Sequence, residues 1–255
     1  MSNLSLYLAS VLIWGSTWLA ITFQYGKVAP EVSVAYRFGL AAAILAAWCL
    51  ARRLKLRFSL KEHGWMALQG ALMFGVNYVC VYLAEQRIPS GLMAVIFSLL
   101  AILNLLGARL LFALAGTVAS SLSNLVSQRN QKHGLPVMQG NAYSMLYGAA
   151  FVALYCWMAG RPFTVDTSFR YLGSLAFLAL FGSVLAFGAY LTLIGRIGAG
   201  RAGYAMVAIP VVALALSTAF EHLHWEWSLA LGAALCLAGN LLVLPKAPKP
   251  AEAAA

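Results

Sequence analysis

The chain has 255 residues, of which 62% are hydrophobic and only 9% charged, with 17 Lys and Arg against 7 Asp and Glu. An ordinary soluble domain carries about 25% charged residues, so this composition excludes a water-soluble globule and leaves an integral membrane domain. The formal charge of +10 does not argue for nucleic acid, because its bearers fall in short connections between apolar runs, where membrane topology alone places Lys and Arg.

An apolar run of about 20 residues crosses roughly 30 Å of hydrocarbon as a helix. Closing such runs at charges, Gly or Pro predicts spans over 4–23, 32–51, 65–84, 90–112 and 113–128, then 137–158, 171–194, 202–220 and 227–244, before a polar tail over 245–255. The first run lacks a basic leader and is too long for a signal peptide. Trp65, Tyr171, Trp225 and Trp227 stand at run edges, as interfacial aromatics do. Cys49, Cys80, Cys156 and Cys236 each sit alone in an apolar run, without the paired spacing of zinc, redox or haem sites, and read as small packing residues.

One junction breaks the pattern. No turn signal interrupts the chain from Ser90 to Asn130, and an unbroken helix of about 40 residues measures roughly 60 Å, twice the hydrocarbon thickness. Two spans cannot meet head to tail at Phe112 and Ala113, since lipid forbids an unsatisfied reversal there. The basic cluster Arg52, Arg53, Lys55, Arg57 and Lys61 fixes the second connection as cytoplasmic. Counting on from it places Arg129, Lys132, Arg196, Arg201, Lys246 and Lys249 outside and Glu221 and Glu226 inside, the wrong way round. One further span between Phe112 and Ala113 corrects every one of these positions. It also places both termini in the cytoplasm. The expectation is therefore a helix missing from the chain at that point.

The chain also repeats itself. Phe74-Gly75, Tyr82-Leu83 and Arg87-Ile88 recur in order as Phe181-Gly182, Tyr190-Leu191 and Arg196-Ile197. With the extra span each repeat holds about five helices, and an odd number inverts the second repeat relative to the first, an arrangement of transporters that bind substrate at the repeat interface. The expected fold is thus an all-α polytopic membrane protein of two inverted repeats, over 1–112 and 113–244.

Several segments carry a family resemblance: Leu12-Ile13-Trp14-Gly15-Ser16-Thr17-Trp18, Tyr36-Arg37-Phe38, Ile88-Pro89-Ser90-Gly91-Leu92, Arg196-Ile197-Gly198-Ala199 and Ala208-Ile209-Pro210. Together they resemble the drug/metabolite transporter superfamily, its EamA-type exporters and, within these, the YddG-type amino-acid exporters. The resemblance implies ten helices, export of small metabolites across the inner membrane, and a helix bend at Pro210. The matching bend in the fourth helix is in doubt, because Ala101 stands where that helix commonly has Pro.

Within the spans, Arg37 is a buried-charge candidate. An arginine at a helix centre costs about 2.5 to 3.5 kcal/mol on insertion scales, so it must snorkel, tie helices together or hold a substrate carboxylate. Thr117, Ser121, Asn124 and Gln128 follow helical spacing and suit either interhelical hydrogen bonds or a polar pathway. Asn77, Tyr78 and Tyr82, with Trp14, Trp18, Tyr190 and Tyr204, offer an aromatic pocket with a few polar handles, against simple packing for each alone.

The acidic residues fall in connections, span edges or the tail, so no carboxylate is placed for a midplane proton relay. The spans lack a Lys and Arg cluster for phosphate, and no P-loop or metal motif occurs. No cofactor or metal is expected. The leading expectation is a secondary transporter exporting neutral or aromatic amino acids or similar metabolites without ATP. Export of other small metabolites or drugs, an intramembrane enzyme and a structural membrane protein are the alternatives.

Overall fold

The computed structural model describes residues 1–86, 107–198, 202, 204–221, 227, 230, 231 and 234. Every regular element among them is helical. Helix α1 is Asn3–Thr22, capped by the Ser2 side chain on the Ser5 N–H. Helix α2, Pro30–Ala51, opens on Pro with Glu31 in its first turn, which suits the fixed φ of Pro and the positive end of the helix dipole. Helix α3, Leu60–Glu85, starts in a reciprocal capping box of Ser59 and Glu62. Helices α4 (Gly107–Lys132) and α5 (Val137–Met158) follow, then α6 (Phe169–Ile197) and α7 (Tyr204–Phe220). By length and apolarity α1, α2, α3 and α6 can each cross a membrane. The chain is a multi-pass membrane protein.

Two rods share an irregularity. Both α3 and α6 widen into π turns, over Gly70–Val76 and Leu178–Leu185, and each π segment contains one of the repeated Phe-Gly pairs, Phe74-Gly75 and Phe181-Gly182. The packing repeats as well. Helix α1 lies along α6 and α4 lies along α3, while α2 and α5 pack closely on each other. At one end of the bundle Arg196, closing α6, bonds the Met1 carbonyl and Asn3 at the start of α1, Gln131 near the end of α4 bonds the Leu191 carbonyl, and Tyr143 early in α5 bonds the Leu56 carbonyl beyond α2. At the other end Lys27, after α1, pairs with Asp166, after α5, at 3.7 Å, and Arg161 pairs with buried Glu31 at 3.6 Å. So α4, α5 and α6 run opposite to α1, α2 and α3, an inverted repetition.

These contacts also bear on the junction. Helix α4 passes through Phe112 and Ala113 without a break, where the sequence sets the boundary between the spans 90–112 and 113–128 and predicts a missing helix. Helix α3 ends beside Tyr25 at the Lys27 end and α4 ends at the Arg196 end. The ends of α3 and α4 therefore lie at opposite ends of the bundle, with Arg129, Lys132 and Arg196 at the same end as the Arg52 cluster. Most of the expected spans at 90–112 and 227–244, the tail 245–255, and Ala101, Cys236, Trp225, Arg201, Glu226, Lys246 and Lys249 lie outside the described residues.

Close helix approach explains several glycines. A Cβ on Gly70 would stand 2.2 Å from the Ser144 carbonyl oxygen, and one on Gly148 would stand 2.7 Å from the Gly70 carbonyl oxygen. Small residues at such crossings let backbones meet in a membrane, where no hydrophobic force between helices assists. Cys49, Cys80 and Cys156 are buried and free, in keeping with a packing role.

Candidate functional site: a neutral aromatic cavity

A cavity of about 70 Å³, space for several water molecules, lies where the two repeats meet. Helix α1 presents Trp14, Thr17, Trp18 and Ile21 to it, residues at i, i+3, i+4 and i+7 that share one helix face. Helix α3 adds Met73, Asn77, Tyr78 and Val81, and α4 adds Ser120 and Asn124. Phe187 and Tyr190 come from α6 and Ile209 from α7. None of these residues carries a formal charge. The rings hold one another in place: Trp14 meets Phe187 edge-on at 4.8 Å and Tyr190 at 4.9 Å, separations typical of favourable aromatic pairs.

The polar groups are few and specific. Trp14 donates its indole N–H to the Gly182 carbonyl at 3.1 Å, satisfying a backbone acceptor in the π segment of α6. Thr17 bonds back to the Trp14 carbonyl. Asn77 donates to the Met73 carbonyl at 3.3 Å, which fixes its amide orientation because a carbonyl only accepts. Its oxygen is left without a partner, as is the amide oxygen of Asn124, whose side chain also pairs with the Tyr190 hydroxyl.

Of the residues singled out in the sequence, Trp14, Trp18, Asn77, Tyr78, Asn124 and Tyr190 line this cavity. Three of the expected residues lie outside this wall. Arg37 is fully buried but lies behind the wall and not in it. Its guanidinium sits over the Tyr78 ring at 4.6 Å, donates to the Ser183 hydroxyl at 3.0 Å and reaches the Tyr82 hydroxyl at 3.4 Å, so it ties α2 to α3 and α6 and does not snorkel. Tyr82 is also outside the wall. It lies one turn beyond Tyr78, and its hydroxyl donates to Gln24 at 3.1 Å. Ser121 is exposed on the outer face of α4 beside Val118, Leu122 and Leu125. A serine is tolerated there because its hydroxyl can bond within its own helix, so the inward position is Ser120, one residue away. The side chains of Thr117 and Tyr204 lie outside the described residues. Gln128 is half-buried near the end of α4. Pro210 is buried inside α7, next to the cavity-lining Ile209.

Sequence reasoning also missed two buried carboxylates. Glu31 is 2% and Glu85 4% exposed, so neither is a solvated edge residue. Glu31 is paired with Arg161. Glu85 accepts a long bond from Tyr25 at 3.4 Å, and its other oxygen has no partner. Burial and the neighbouring Glu85 push the Tyr25 phenol far above its ordinary range. On the same end, backbone and side-chain hydrogen bonds from Ser168 hold the half-buried Asp166 carboxyl below its ordinary value. Among the described residues no group of three or more His, Cys, Asp or Glu stands ready for a metal.

Known proteins share this architecture. The inner membrane transporter YedA of Escherichia coli (strain K12), itself uncharacterised, is 30% identical over 245 residues, covering 82% of this chain and 80% of its own. Since 82% of 255 residues is about 209, about 36 aligned positions of YedA face gaps in this chain, more than the roughly 20 residues of one span. The uncharacterised transporter YoaV of Bacillus subtilis (strain 168) is 22% identical over 268 residues, covering 89% of this chain and 91% of its own. One crystal structure, 21% identical, superposes with a TM-score of 0.69 over 95% of this chain and 96% of its own, which shows the same fold. The EamA-like transporter family matches residues 1–112 and again 107–244. Two successive matches of one family, on a chain whose helices repeat in inverted order around a shared cavity, mean that this protein belongs to the EamA-like transporter family.

Proposed function

We propose that this membrane transporter exports neutral or aromatic amino acids, or similar small metabolites, through the cavity by alternating access and without ATP. The observation that carries the reading is the cavity wall: aromatic rings from both repeats, uncharged, with two unpartnered amide oxygens. An apolar or aromatic side chain is matched by the rings. An ammonium or amide N–H gains a hydrogen bond at Asn77 or Asn124 without breaking one already made, which avoids the usual exchange cost. Pro210 supports movement nearby, because a proline inside a helix leaves the carbonyl four residues earlier unbonded.

Transport on this reading is facilitated and not obligatorily coupled to protons, since coupling through a side chain uses an Asp, Glu or His in the pathway and the described wall holds none. Liposomes carrying the purified protein and loaded with single amino acids test it: labelled phenylalanine should exchange in, at the same rate with and without a pH gradient. Uphill accumulation driven by an imposed proton gradient would contradict the uncoupled reading.

A second proposal concerns topology. The basic end of the bundle, where Arg129, Lys132 and Arg196 join the Arg52 cluster, is the cytoplasmic face, with both termini on it, and the gapped positions opposite YedA are enough for a first-repeat span that this chain lacks where α4 runs unbroken through Phe112 and Ala113. Single cysteines at Lys132 and Lys249 should label only from the cytoplasmic side. Labelling of either from outside intact cells would overturn the assignment.

A further inference from the structure

We propose that Arg37 sets the charge selectivity of the cavity, favouring substrates that carry a carboxylate on an apolar or aromatic body and disfavouring organic cations. This rests on the reading of the cavity as the substrate site. Arg37 is fully buried and forms no ion pair among the described residues. Its Nε and one terminal nitrogen bond the neutral hydroxyls of Ser183 and Tyr82, while the other terminal nitrogen has no hydrogen-bond partner. Gly182 leaves that nitrogen room, since a Cβ there would lie 3.1 Å from it.

The charge is close to the cavity but does not enter it. The guanidinium carbon lies 4.6 Å from the centre of the Tyr78 ring, and Tyr78 is a wall residue. One aromatic ring therefore links a full positive charge to a cavity with no charge of its own. Away from water a unit charge acts across distances on the order of 10 Å with energies well above thermal. Glu85 and Arg37 interact electrostatically, but Glu85 is bonded to Tyr25 and forms no ion pair with Arg37 among the described residues. The position of α5 that matches Arg37 by helix register is the uncharged Ser144.

Action through the field and not through a fork of hydrogen bonds has a distinct signature, because a bidentate contact does not survive replacement of Arg by Lys whereas a charge does. In liposomes, counterflow of labelled phenylalanine is competed by three compounds that share a phenyl group and a short chain: 3-phenylpropionate, 3-phenylpropanol and 2-phenylethylamine. In the wild type the anion should compete best and the cation worst, over a span of about tenfold. Arg37→Gln should collapse the span to about twofold or less, and Arg37→Lys should keep the order. A wild type that admits the cation as readily as the anion overturns the proposal even if the Gln variant does not fold, and so does a Gln variant that keeps the full span. Absence of any wild-type counterflow overturns the functional reading itself, while counterflow without charge preference overturns only the role of Arg37.

Discussion

Helices α2 and α5 occupy matching places in the two repeats and pack on each other, yet they use the same positions differently. Arg37 and Ser144 each stand seven residues after the first residue of their helix. One is a buried cation tied to α3 and α6; the other is a small hydroxyl beneath the Gly70 crossing, its oxygen without a partner. Four residues on, Ala41 in α2 corresponds to Gly148 in α5, which meets the Gly70 backbone. At the helix ends, Arg53 takes a left-handed backbone, φ 52°, where α5 has Gly160, φ 65°. The second repeat spends its position on a backbone contact and the first on a charge. Inverted repetition fixes the frame, and departures from it mark where each repeat is specialised.

The largest effect should come from filling the crossing. Gly70→Ala puts a methyl into backbone carbonyl, which no side-chain shift relieves, and should cost about 3 kcal/mol or more, read as loss of folded, monodisperse protein after extraction. Gly39→Ala in α2 is the control, because the added methyl only reaches Ala149 at 4.0 Å. It should be neutral or gain up to about 1 kcal/mol from helix propensity. Equal tolerance of both would break the contrast.

Next are the wall residues. Tyr78→Ala and Asn124→Ala should each lower counterflow by about tenfold or more, the scale of a lost pocket contact, with folded yield close to wild type. The same loss from Ser121→Ala would show that the face assigned to α4 is wrong, since Ser121 is exposed.

Much of this was legible in the sequence. Composition and run length gave the helices, the repeated Phe-Gly, Tyr-Leu and Arg-Ile pairs gave the repeat, and the odd helix count gave its inversion. Trp14 and Trp18, one turn apart, and Asn77 and Tyr78 were found because aromatic and polar groups stand out in spans otherwise suited to lipid. Met73, Phe187 and Ile209 left no mark, since an apolar cavity wall and a lipid-facing surface have the same chemistry. The phase of α4 slipped by one residue because serines crowd it at Ser120, Ser121 and Ser123, and no strong apolar stripe fixes which faces inward. The partners of Arg37 come from two other helices, beyond any spacing rule. The burial of Glu85 was hidden because it ends its span, where a sequence reads water.

Smaller effects sharpen the comparison further. Ser144→Ala removes an oxygen that has no partner, so stability should change by no more than about 0.5 kcal/mol, toward gain, in thermal melts of the purified protein. Arg53→Gly relieves a left-handed backbone that costs a side-chain-bearing residue about 1 kcal/mol and should raise the melting temperature slightly. A lower melting temperature would mean that the Arg53 side chain contributes more than its backbone costs.

The central claim, that a small molecule crosses through the cavity shared by the two repeats, is tested most directly by counterflow. Labelled phenylalanine should enter liposomes preloaded with unlabelled phenylalanine, and the folded double variant Asn77→Leu, Tyr78→Ala should reduce that entry to the level of empty liposomes. Entry at the wild-type rate through the double variant would contradict it.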